Sequence, residues 1–268
     1  MTFDLIHLRM HFRAVELIRF PPGKAGNVLR GAFGILLRDS ANAADYAQIF
    51  EPKASERGPS GLADRPRPFV IRAAHLDGKT ISPGGEYHFD VHLFDLTPGR
   101  RALFAAAFAQ LTRAELLRAD EENISIPFDP PPDETASRIR VEFRTPTELK
   151  SGGQLAARPE FPILFARLRD RISTLREFYG PGPLDIDFRE MGERAAAIRI
   201  TQCELQWHEV ERRSSRTGQT HPLGGFTGEA EYDGDLGEFL PYLRAGQWTG
   251  VGRQTVWGKG EICFQVCC

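Results

Sequence analysis

Gly246-Gln-Trp-Thr-Gly250-Val-Gly252-Arg253-Gln-Thr-Val-Trp-Gly258-Lys259-Gly260 sets five glycines, one arginine and one lysine within fifteen residues. Glycine accepts positive φ and lets another chain approach its backbone closely. Successive N–H groups in such turns form concavities that hold anions. Arg253 and Lys259 add cations, so the stretch suits a sugar–phosphate backbone. No Gly-Lys-Ser/Thr closes it, which excludes a Walker loop. Too little chain follows Gly260 for the helix and second strand of a dinucleotide-binding βαβ unit. A glycine-rich hairpin leading into a last strand is the alternative reading.

Gly250-Val-Gly252-Arg253-Gln-Thr-Val-Trp-Gly258-Lys-Gly260 resembles the glycine-rich signature of the RAMP superfamily of CRISPR-associated proteins. More specifically, it resembles the C-terminal part of the repeat-processing endoribonucleases, Cas family six. Other matching pieces stand in the expected order: Leu29-Arg-Gly-Ala-Phe-Gly34, Ile49-Phe-Glu-Pro52, Thr145-Pro-Thr-Glu-Leu-Lys-Ser-Gly-Gly153, Arg158-Pro-Glu-Phe161, Phe178-Tyr-Gly180, Arg212-Arg-Ser-Ser-Arg216 with Gly224-Gly-Phe-Thr-Gly228, and Tyr232-x-Gly234-Asp-Leu236. The resemblance covers nearly the whole chain. It implies two ferredoxin-like domains side by side and cleavage of CRISPR repeat RNA to a 5′-hydroxyl and a 2′,3′-cyclic or 3′-phosphate. It also implies that many members keep the processed RNA and join other subunits in an effector complex.

The 268 residues suffice for one large or two ordinary domains, and 41% hydrophobic content suffices for real cores. No apolar run approaches the eighteen or so residues of a membrane span, and the first residues lack a secretory pattern. Cys203, Cys263, Cys267 and Cys268 form no Cys-x-x-Cys pair, so neither a zinc site nor a disulfide framework is expected. A cytoplasmic protein with reduced thiols fits. The net charge of −2 counts against a nucleic-acid binder. Of the 34 basic residues, however, 29 are arginine, which forks onto phosphate and stacks on bases better than lysine does. A GC-rich coding sequence accounts for the bias equally well.

Working outward from the glycine stretch, the chain reads as the same pattern twice. Phe3 to Arg13 alternates as a half-buried strand. Asn27 is placed to cap a helix from Val28 to Arg38. Ser40 to Pro68 is rich in Pro, Gly and Ser and reads as mostly irregular. Phe69 to His75 and Tyr87 to Phe94 read as strands. Thr97 is placed to cap a helix running to about Arg118, and Ile124 to Phe128 closes the first unit. Pro127-Phe-Asp-Pro-Pro-Pro-Asp133 reads as the linker. The second unit follows as a strand from Arg138 to Phe143, a periodic helix from Phe161 to Phe178, and a long hairpin of Ala197 to Glu211 with Phe226 to Tyr232. A short helix to Arg244 with Asp235 and Glu238 as a capping box, then a strand from Glu261 to Val266, complete it. Two βαββαβ units make an α+β chain of two tandem ferredoxin-like (RRM-like) domains, divided as 1–128, a linker at 129–137, and 138–268.

Metal-free RNA cleavage needs the 2′-hydroxyl deprotonated, the phosphorane stabilised and the leaving oxygen protonated. Histidine is the usual choice, and family members often carry one on or just after the first helix. This chain has none between Val28 and Pro68, a departure that puts a histidine acid/base there in question. Lys24, Arg30 and Arg38 are the candidates for phosphate stabilisation and nucleophile positioning, with Tyr46 as proton donor. For Arg30 and Arg38 a solvated helix face is the alternative. The candidate RNA-binding set is Arg212, Arg213 and Arg216 with Gly250, Gly252, Arg253, Gly258, Lys259 and Gly260. The arginine cluster, beside His221, reads equally as an ordinary hairpin tip. His7 and His11 share a face with Arg9 and Arg13 and read as exposed strand residues, with a cleft-facing position as the alternative, and His208 reads as structural. Asp185 and Asp187 share a strand-like face without a third partner, so no metal and no cofactor are expected.

Overall fold

Period-two alternation sends Leu8, Met10 and Phe12 to one side of strand β1 (Thr2–Ala14), where all three are buried. Helices α1 (Ala25–Ser40) and α3 (Arg100–Phe108) cover that side through Leu29, Phe33, Leu37, Phe104 and Phe108. Phe33 stacks on Phe104 at 4.5 Å and meets Phe69 edge-on at 5.3 Å. The remaining strands are β2 (Phe69–Arg72), β3 (Glu86–Leu93) and β4 (Ala114–Pro127). They give an antiparallel sheet of order β2-β3-β1-β4. The computed structural model describes residues 1–52, 65–129, 134–209, 211–213, 220–222 and 224–267, with 211–213 and 220–222 given by backbone alone.

The second unit repeats the topology. Strands β5 (Arg138–Thr147), β6 (Arg199–His208), β7 (Gly225–Asp233) and β8 (Ile262–Val266) form an antiparallel sheet of order β6-β7-β5-β8. Helices α4 (Phe161–Tyr179) and α6 (Leu240–Thr249) pack on it, with Phe165 and Phe239 4.8 Å apart, ring edge to face. The chain is therefore α+β with two tandem ferredoxin-like folds. The two units share apolar contacts: Phe3, Leu5, Phe94, Ile126 and Phe128 belong to one buried cluster with Leu175 and Tyr242. The half of the first sheet's outer face near the start of β1 is thus covered, and the half around Arg9 is not.

Several boundaries differ from expectation, each for a physical reason. Helix α1 begins at Ala25, and Asn27 does not cap it. Its first amide donates to Asp77 Oδ1 at 2.7 Å, a partner that no local pattern reveals. Part of the stretch expected to be irregular is helix α2 (Ala43–Ile49), capped by Asn42, whose side chain accepts from the Asp45 amide at 2.9 Å. Helix α3 stops at Phe108, and Thr97 binds Asp95 instead of capping it. From Ala114 the chain belongs to β4, an edge strand that among the described residues pairs with β1 alone and is exposed over most of its length, so hydrophobic alternation does not betray it. Asp187 is not part of a strand: it caps helix α5 (Phe188–Ala195), accepting from the amides of Arg189 and Glu190. No capping box opens α6. Glu238 binds Arg194 at 2.7 Å, and a 3-10 turn at Gly237–Phe239 leads into the helix. The proline run at 130–132 lies outside the described residues.

Candidate RNA interface

The first four residues of the glycine stretch, Gly246 to Thr249, form the last turn of α6, and the rest, from Gly250 on, closes on itself. Val251 N donates to Gly260 O at 2.9 Å, Arg253 N to Glu148 O at 3.1 Å, and Gly260 N to Pro146 O at 3.2 Å. Gly250, Gly252, Gly258 and Gly260 have φ of 69°, 79°, 80° and 67°, and Gln254 is the one non-glycine residue with positive φ among the described residues, at 64°. This stretch is therefore part of a core and not a free surface loop. Val251 is fully buried, and a Cβ on Gly252 or Gly260 would lie 2.3 Å or 2.0 Å from a backbone oxygen, of Glu148 or Val251 respectively.

The loop packs against the start of α1. A Cβ on Gly26 would lie 3.0 Å from Trp257 O and 3.1 Å from the Gly258 Cα. Lys259 is buried, at 3% exposure, and its ammonium donates to Gly23 O at 3.0 Å. Burial lowers its pKa, while Asp77 nearby favours the charged form. The ammonium is thus turned inward, onto the first unit, and away from solvent. Arg253 does reach the surface, with its side chain 53% exposed, although its guanidinium binds the buried Glu148 carboxylate at 2.5 Å.

The helix candidates separate into two kinds. Arg30 is not on a solvated face: it is buried, 4.5 Å over the Phe50 ring and 5.5 Å from that of Trp257, and so ties α1 to the loop. Arg38, two turns on, is exposed and donates to the Tyr46 hydroxyl at 3.1 Å. That hydrogen bond favours its charged form. The Tyr46 oxygen accepts there, which leaves its own proton available. Lys24 is half-buried at the residue before α1, close enough to Lys259 to disfavour the latter's charge. Arg212 and Arg213 fall in a short strand, Glu211–Arg213, paired with Thr220–Pro222, and Arg216 lies outside the described residues. His208 meets Thr227 Oγ1 at 2.6 Å.

Five of the seven histidines gather beyond the first sheet, on the face opposite α1, an assembly sequence reasoning missed. Register sets His7 across from His92, Arg9 from Asp90 and His11 from His88, and His75 stacks on His88 at 4.6 Å. The signal was present: His-x-Arg-x-His-x-Arg from His7 is mirrored by Glu-x-His-x-Asp-x-His from Glu86. The face is not cationic, because Asp90 binds Arg9 at 2.8 Å and Asp120 binds His11 at 3.0 Å and Arg118 at 3.1 Å. Burial alone would raise Asp90, but His7 and Arg9 beside it hold its carboxyl well below the usual range. Among the described residues no group of three or more His, Cys, Asp or Glu has the geometry to hold a metal ion. No described helix is long and apolar enough to cross a membrane.

His92 makes stability pH-dependent. Burial, reinforced by the nearby Arg72 charge, pushes its pKa down to about 3. Its Nδ1 donates to Trp248 O at 2.8 Å, which fixes the tautomer. His7 lowers this pKa further and Asp90 opposes. Once unfolded, the ring protonates near 6.5, so the unfolded state binds the extra proton below that pH. Stability is full above about pH 6.5 and falls toward pH 3 by up to about 1.4 kcal/mol per pH unit. Denaturant melts between pH 7 and 5 should show this decline, and His92→Gln should flatten it. An unchanged slope in the variant would assign the titration elsewhere.

Residues 141–262 match the family model described as the CRISPR-associated endoribonuclease Cas6, and residues 3–126 match one described as an N-terminal domain. No curated protein matches the chain. Among solved structures, Thermus thermophilus Cas6 is 17% identical with a TM-score of 0.61, covering 99% of each chain. A Cas6 product complex is 18% identical with a TM-score of 0.62, over 97% of this chain and 100% of that one. The Cas6-bearing chain of a partial Cas6-RT-Cas1–Cas2 complex is 14% identical with a TM-score of 0.64, over 98% of this chain and 46% of that one. At such identities the likeness is one of fold.

Proposed function

We propose that this chain, whose residues 141–262 match the model of the CRISPR-associated endoribonuclease Cas6, carries out metal-independent cleavage of precursor RNA within its repeats and holds the mature guide RNA afterwards. The observation that carries the reading is the packing of the glycine-rich loop on the first turn of α1, Gly258 against Gly26. Two neighbouring elements thereby supply what the reaction needs. The loop, with Arg253, holds the sugar–phosphate backbone. Arg38 stabilises the phosphorane and helps orient the 2′-hydroxyl, whose proton passes to solvent hydroxide, while Tyr46 protonates the leaving oxygen and is reprotonated from water. Lys24, at the other end of α1 and about 21 Å away along the helix, holds a flanking phosphate. Arg30 acts from within, through Phe50 and Trp257, and is a positioning residue. No cofactor is required. Repeat RNA is the partner, other subunits of a CRISPR effector complex join through it, and the cytoplasm is the setting.

One observation favours a second reading, a RAMP subunit that holds guide RNA without cutting it: no histidine stands between Val28 and Pro68. Labelled repeat RNA separates the two when set beside an RNA of the same composition in scrambled order. A single discrete cut in the repeat alone supports the endoribonuclease. Tight retention of uncut repeat supports the subunit.

A further inference from the structure

The loop from Gly250 to Gly260 belongs to the second unit by sequence, yet both of its ends are held by the first. At its start, Arg72 of β2 donates from Nη2 to Trp248 O at 3.4 Å, and the same guanidinium lies 3.0 Å from where a Cβ would stand on Gly250. The Trp248 carbonyl also takes the His92 hydrogen bond, so two side chains of the first sheet cap the last turn of α6. Arg171 of α4 does the same for Thr249 O at 2.9 Å. At the loop's far end, Lys259 donates to Gly23 O, and Gly258 lies against Gly26. Between these anchors Arg253 is the exposed cation.

Neither anchor is what stability alone would select. Arg72 is 6% exposed, with Nε and Nη1 lacking a hydrogen-bond partner and the Glu261 carboxylate 4.0 Å away. Lys259 spends a buried ammonium on one carbonyl. Replacing such groups by apolar side chains of similar volume is often neutral or stabilising, because desolvation of the charge offsets most of the contact. What the charged groups provide that apolar ones cannot is a directional bond to a particular carbonyl at each end of the loop.

We propose that Arg72 and Lys259 are positioning residues through which the first unit sets the shape in which the glycine-rich loop meets RNA. This rests on the reading that the loop contacts RNA. It replaces a phosphate-binding role for Lys259 with an orienting one. Neither side chain touches the nucleic acid. Each removes freedom that the loop would otherwise lose on binding, so losing either anchor weakens affinity without removing a phosphate contact.

The two roles leave different marks. A lysine that neutralises a phosphate contributes about one unit to the slope of log K against log salt, and an orienting lysine contributes none. The variants are Lys259→Met, which keeps the apolar stem and removes the donor, and Arg72→Lys, which keeps the charge and shortens the reach to Trp248 O. The measurements are binding isotherms for labelled repeat RNA across a salt series, with a thermal melt of each protein. The expected result is a cooperative melt near that of the wild type, an affinity roughly tenfold weaker, and a salt slope equal to the wild-type slope. Unchanged affinity in both variants would overturn the proposal, as would a slope shallower by about one unit in Lys259→Met. Loss of cooperative melting in Lys259→Met would also overturn it, since the lysine would then be needed for folding. Wild-type protein that fails to bind repeat RNA would sink the functional reading itself, a different failure.

Discussion

Arg38→Ala should cut repeat RNA two to three orders of magnitude more slowly than the wild type while binding it almost as well. A donor aimed at charge that develops in the transition state is worth roughly 3–4 kcal/mol. A ground-state phosphate contact would instead weaken affinity and flatten the salt slope by about one unit. The structure makes the experiment clean. Arg38 is exposed and donates to the Tyr46 hydroxyl, so its loss leaves no buried carboxylate behind. Stability should change by no more than about 0.5 kcal/mol. Arg30→Ala is not equivalent, because it removes a buried guanidinium packed on Phe50 and Trp257 and should lower the melting temperature as well. Single-turnover cleavage at saturating protein is the measurement. A wild-type rate in Arg38→Ala would reduce the residue to a solvated position and return attention to the histidines.

Gly260→Val should be the most damaging substitution in the loop. Its backbone has φ +67°, and a Cβ there would lie 2.0 Å from Val251 O, within the Val251–Gly260 hydrogen-bonded pair that closes the loop. A β-branched residue in that region costs about 1–3 kcal/mol in strain, and displacing packed backbone costs about as much again. A total of roughly 4 kcal/mol would lower the melting temperature by about 10 °C. Gly252→Val should act similarly through Glu148 O, at 2.3 Å. Gly31→Ala is the control: the site is helical with nothing within 4 Å of the added Cβ, so a gain of about 0.5–1 kcal/mol is expected. Equal melts for wild type and Gly260→Val would mean that the loop is not closed in this way.

Where a signal is local and periodic, the sequence carried it. The heptad-like run from Phe161 to Phe178 appears as α4 almost to the residue, and the alternation of β1 and the hairpin of β6 and β7 appear in place. What stayed hidden depends on distant partners. The start of α1 is set by Asp77, fifty-two residues away, and β4 holds its place by pairing with β1 although most of its side chains meet water. The site was legible in kind but not in arrangement. Glycine spacing marks the loop, and composition marks Lys259 as a cation. That the same lysine is turned inward, onto Gly23, follows from the docking of one unit on the other. Arg30 and Arg38 stand eight residues, and so about 80°, apart around α1. That turn, together with the Phe50, Trp257 and Tyr46 rings brought to the helix by the rest of the chain, buries one and leaves the other exposed.

The central claim is cleavage by attack of the RNA's own 2′-hydroxyl, without a metal ion. It is tested most directly by incubating the protein with repeat RNA labelled at both ends, in EDTA, and identifying the new termini. The account predicts one cut at the rate seen without chelator, leaving a 5′-hydroxyl on one fragment and a 2′,3′-cyclic or 3′-phosphate on the other. Activity abolished by EDTA and restored by Mg²⁺, with a 5′-phosphate and a 3′-hydroxyl at the cut, would contradict it.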